Sequence, residues 1–177
     1  MAIKMPASGQ LLSLDTIDGS SGVPAAKQLL KTRSPEGGIS TWDASSIFFE
    51  MDNLKDSEAP SPRTLVLLYA ADLFFRLRWQ IIPALHESKC VVAVPYVRTC
   101  FAFGVTMGLP EKWLTEVFRF APEAAEHFHV NRKIAAGLGD AHAGFVEFCS
   151  KVLKQDLRPK VAAYFKELEH NGASRPV

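Results

Sequence analysis

A chain of 177 residues, 47% apolar and 22% charged, has the length and balance to bury one core without disulfides or a structural metal. Its formal net charge of +1 supplies no field to hold nucleic acid or an anionic membrane surface, so neither is expected as a partner. Cys90, Cys100 and Cys149 are odd in number and include no CxxC pair, which fits unpaired thiols in a reducing cytoplasm rather than a disulfide framework or a zinc site.

The first ten residues hold lysine and proline but no apolar run of the kind a secretory signal needs. Leu11 to Ile17 is a short apolar run that ends at Asp18-Gly19-Ser20-Ser21-Gly22, a strand feeding a tight Gly/Ser turn. Pro24 suits the first turn of a helix that continues through Ala25 to Lys31. Arg33 to Gly38 reads as a loop, and Trp42 to Met51 as a short helix with Ile47, Phe48 and Met51 on one side. Ser61-Pro62 gives an N-cap and first-turn proline to a long helix reaching about His86, with a kink or break expected at Pro83. Leu65 to Leu85 is the most apolar stretch, yet Asp72, Arg76 and Arg78 interrupt it, so it reads as a buried helix and not a membrane span.

Cys90 to Val94 is a β-branched run suited to a strand buried on both faces. Helices follow over about Arg98–Met107 and Glu111–Phe120, then a short strand at His127–Val130, then helices over Phe145–Leu153 and Pro159–Glu169. Strands alternating with helices predict a single α/β domain over 1–177 with a parallel, doubly wound sheet. Residues 1–9 and 171–177 are expected to be mobile, as is the acidic Pro/Ser segment at 55–62.

Four of these stretches, in order, resemble thymidylate kinases. Leu11 to Ser20 matches without gaps the family's strand and phosphate loop, F-I-x-F-E-G-I-D-G-S. Thr32 to Gly38 echoes T-R-E-P-G-G, and Leu67-Leu68-Tyr69-Ala70-Ala71-Asp72 is similar to L-L-F-A-A-D-R, with Ile82-Pro83-Ala84-Leu85 where the family has I-x-P-A-L. Val91 to Val130 contains Tyr96, Gly108-Leu109-Pro110 with Trp113, and Phe120-Ala121-Pro122 at the family's spacing. The resemblance implies a three-layer α/β/α P-loop kinase-like fold with a small parallel sheet. One or two family strands would be missing, since little chain separates Leu30 from Thr32-Arg33 and no last strand is evident after the Phe145 helix.

The same resemblance marks candidate nucleotide-binding residues. Asp18, Gly19, Ser20, Ser21 and Gly22 fall on the phosphate turn, Arg33 on a phosphate contact, and Tyr69, Asp72 and Tyr96 on the acceptor side. Each has a bland alternative: a tight turn kept for folding, an exposed loop arginine, or packing on an apolar helix. What the family uses for chemistry is replaced. Its loop continues G-K-[ST], but Gly22 stands at the lysine and Val23 at the magnesium-holding hydroxyl, followed by Pro24. Its D-R-Y reads Val94-Pro95-Tyr96, the arginine of A-A-D-R is Leu73, and the lid region 131–144 offers only Arg132 and Lys133 as cations of that kind.

Phosphoryl transfer rests on positioning and on neutralising charge. The resemblance with these losses therefore implies a pseudokinase with no catalytic residues and no cofactor, serving as an interaction, regulatory or structural module. The alternative is an active dTMP kinase or nucleotide sensor using ATP and magnesium, with Lys27, Arg33 or Arg98 replacing the lost charges. The related kinases dimerise through helices of this region. The stripe Leu65, Leu68, Asp72, Phe75, Trp79 is also broader than one sheet face would cover, so a homodimer or a protein partner is expected through 62–86. His127 and His129 share a strand face at a chelating spacing but lack a third ligand, and Cys100 beside Arg98 lacks a histidine base.

Overall fold

A computed structural model of the chain describes residues 9–16, 22–47, 50, 60–130, 150 and 154–176. Its five strands are β1 (Gln10–Asp15), β2 (Gly38–Thr41), β3 (Cys90–Val94), β4 (Glu126–His129) and β5 (Arg175–Pro176). They form one sheet in the order β2-β3-β1-β4-β5, every neighbouring pair parallel. The helices are α1 (Gly22–Arg33), α2 (Pro62–Arg76), α3 (Ile82–His86), α4 (Val97–Thr106), α5 (Glu111–Phe118) and α6 (Arg158–His170).

Side-chain alternation along the strands divides the core in two. Leu12 and Leu14 of β1, Val92 and Val94 of β3 and Phe128 of β4 face Ala25, Ala26, Leu29 and Leu30 of α1. Leu11, Val91 and Ala93 face the other way, into a larger cluster built from α2 to α6. All five residues of β3 are buried, as a strand covered on both sides must be. The three-layer parallel α/β fold read from the sequence is the fold observed.

Ser61 caps α2, its hydroxyl oxygen accepting from the Thr64 N–H at 3.2 Å, with Pro62 in the first turn. The helix does not break at Pro83. Instead Leu77–Ile81 widens into a π-helical turn that joins α2 to α3, with the Ile82 N–H bonded back to the Leu77 carbonyl. Proline lacks an N–H and its ring clashes with the carbonyl four residues earlier, so a wider turn just before Pro83 lets the axis continue.

Three readings of the chain order are corrected. The second strand is present: α1 runs on through Thr32-Arg33, and β2 follows after a three-residue turn and Gly37. Trp42–Ser45 is a turn, not the start of a helix; Ile47 and Glu50 are helical, and most of the remaining positions there lie outside the described residues. A last strand, not evident in the sequence, is present at Arg175–Pro176: Arg175 pairs with Phe128 and Pro176 with His129. A two-residue strand leaves no periodic signal, and it forms because β4 offers an open edge. The expected helix at Phe145–Leu153 lies outside the described residues.

β2 is short, and a side chain rather than a long ladder fastens it. Arg76 is fully buried. Its Nε donates to Ser40 Oγ at 3.0 Å, Nη2 to the Ser40 carbonyl at 2.7 Å, and Nη1 to the Pro95 carbonyl at 2.9 Å. Burial presses its pKa down, and Tyr69 and Asp72 oppose that. Arg76→Met keeps the aliphatic stem but orphans two carbonyls. Each unpaired buried group costs about 1–3 kcal/mol. Urea unfolding is expected to show a loss of about 2–4 kcal/mol.

Candidate functional site

In open α/β sheets the ligand crevice lies beyond the carboxyl ends of the strands, where neighbouring strands send their connections to opposite faces. Here that point lies between β1, which leads to α1 on one face, and β3, which leads to α4 on the other. Asp15, Thr16, Gly22, Val94, Pro95 and Tyr96 stand around it. Asp18, Gly19, Ser20 and Ser21, read as the phosphate turn, lie outside the described residues.

Gly22 and Val94 meet. A Cβ at Gly22 would lie 2.6 Å from Val94 Cγ2 and 3.0 Å from Thr16 Cγ2, so the first residue of α1 has no room for any side chain. Val94 is stiff and cannot swing aside. The positions at which the resemblance places a lysine and a carboxylate are thus joined by an apolar contact. Val23, where the resemblance places the magnesium-holding hydroxyl, offers no side-chain oxygen. Pro24 also removes one of the first free N–H groups that make a helix N-terminus attractive to anions.

Asp15 is the residue that the sequence reading passed over. It is fully buried at the end of β1, and its Oδ1 accepts from the Tyr96 N–H at 3.1 Å, the Thr99 N–H at 2.9 Å and the Thr99 hydroxyl at 2.7 Å. Those groups belong to the first turn of α4, whose N-cap residue Tyr96 makes no side-chain cap of its own. Asp15 therefore caps α4 from a neighbouring strand, where an anion is favoured by the helix dipole. A lone carboxylate ending an apolar strand was the available signal. Asp15 Oδ2 and Thr16 Oγ1, both buried, have no hydrogen-bond partner among the described residues.

The other sequence-derived candidates are held in packing. The Tyr96 ring is buried and its hydroxyl donates to the Pro122 carbonyl at 2.7 Å; burial raises its pKa above the ordinary phenol value. Tyr69 is buried against Trp42, ring centroids 4.2 Å apart. Asp72 accepts from the N–H groups of Asp43 and Ser45 and from the Ser45 hydroxyl. Leu73, at the family's arginine, is core.

Arg33 is not brought to the site. It ends α1, which runs antiparallel to the strands. Eleven helical steps at about 1.5 Å each put it roughly 16 Å from Gly22. There it grips Glu126 at 2.8 and 3.2 Å and lies over the Phe128 ring. Of the other proposed replacements, Arg98 donates to the Ala173 carbonyl and Lys27 stands exposed on α1.

The two histidines of β4 do not converge on a metal. His127 bonds Ser13 and Glu123, both at 2.7 Å, whereas His129 bonds Ser174 at 2.9 Å and faces Glu169. No group of three or more metal-ligating side chains occurs among the described residues. Cys90 and Cys100 are both buried, and burial raises the pKa of the Cys90 thiol. Among the described residues no helix is long and apolar enough to cross a membrane.

A helix following the central strand, at the switch point of a small parallel sheet, defines a doubly wound α/β protein. Within that class the chain is thymidylate-kinase-like, in fold and in sequence. Among solved structures, the thymidylate kinase of Ehrlichia chaffeensis superimposes with a TM-score of 0.64 at 13% identity, covering 96% of this chain and 86% of that one. The thymidylate kinase of Candida albicans gives a TM-score of 0.60 at 19% identity, covering 96% and 83%. In sequence, the chain is 30% identical over 125 residues to a probable thymidylate kinase of Pyrococcus horikoshii and 27% identical over 128 residues to one of Pyrococcus abyssi. Each match takes in 64% of this chain, which spans 60% of the length of these relatives. No protein-family model matches the chain.

Burial raises the Asp15 pKa above its ordinary value, more than the bonds from Thr99 and Tyr96 and the charge of Arg98 lower it. Between the unfolded and the raised folded value the native state holds a proton that the unfolded state lacks, so stability falls as pH rises through that window. Asp15→Asn retains an oxygen acceptor but cannot titrate. Its unfolding free energy, measured in urea between pH 4 and pH 7, is expected to lack this component of the slope.

Proposed function

We propose that this thymidylate-kinase-like protein has lost phosphoryl transfer and acts as an interaction, regulatory or structural module. The observation that carries the reading is the contact of Gly22 with Val94, which fills the place of a cation and a carboxylate with apolar atoms. One lost preorganised donor typically lowers a rate by about 10²–10³, and one lost arginine by about 10³–10⁵. Here Gly22, Val23, Val94, Pro95 and Leu73 are all substitutions of that kind, and no cofactor is required by such a role.

A second reading, a dTMP kinase or nucleotide sensor with a remodelled site, draws support from Asp15 Oδ2 and Thr16 Oγ1, which have no hydrogen-bond partner among the described residues. Purified protein incubated with thymidylate, ATP and magnesium is expected to form no thymidine diphosphate above the protein-free control, and neither nucleotide is expected to raise its melting temperature. Turnover that Asp72→Asn or Tyr69→Phe abolishes would instead establish the kinase.

The module needs a surface, and α2 with its π-helical turn offers one. Leu67, Phe74, Phe75 and Trp79 are 51%, 49%, 38% and 65% exposed. Phe74 meets Phe120 edge-on at 5.5 Å, which extends the apolar area. Aromatic side chains of this kind are enriched in interfaces. We assign this surface to a homodimer, with a different protein partner as the variant reading. Sedimentation velocity is expected to show a dimer that Phe74→Lys with Trp79→Lys converts to monomer without loss of helicity. A monomeric parent chain at high concentration would remove the homodimer.

A further inference from the structure

We draw no further inference here: the strongest candidate, the exposed apolar face of α2 and its π-helical turn, is the surface already assigned to self-association, and nothing in the structure points to another occupant.

Discussion

The buried guanidinium of Arg76 is the constraint on which one half of the molecule depends. A four-residue edge strand gains little from its own ladder, and β2 stays in place because Arg76 binds both oxygens of Ser40 and the carbonyl of Pro95 across the gap to β3. Tyr69, Asp72 and Arg76 lie at helical spacing on one face of α2, and each fastens something different: a ring, a turn and a strand end. A charge this deeply buried is tolerated only when its hydrogen-bonding capacity is used, and the nitrogens here are each directed to an oxygen.

Asp15 plays the corresponding part in the other half. It ends the central strand and caps α4, fixing the direction in which the chain leaves β3. Beside it Gly22 and Val94 stand in close contact, and the two depend on each other. A side chain at Gly22 would strike Val94, and a smaller residue at 94 would leave a hole beside α1.

Much of this was legible in the residues. The Leu11–Asp15 run, the fully buried Cys90–Val94 strand, the Ser61-Pro62 cap and the α/β alternation follow from local chemistry and periodicity, and the structure has them. Harder to see were β2 and β5, because strands of four and two residues carry too short a pattern to register. The loop assigned to Arg33 failed for a related reason: nothing local distinguishes the last turn of a helix from the start of a loop when the boundary residues are Thr, Arg and Ser.

By itself the sequence determined the class of fold, since that rests on residue type and order. The tertiary structure decided what the remaining polar residues do. Arg33 was sent to Glu126, Tyr69 and Asp72 were closed under Trp42 and its turn, and Asp15 was placed at a helix start 81 and 84 residues away in sequence. The physical reason is that hydrogen bonds and ring contacts depend on which elements the topology sets side by side, and a parallel sheet pairs segments that are remote along the chain.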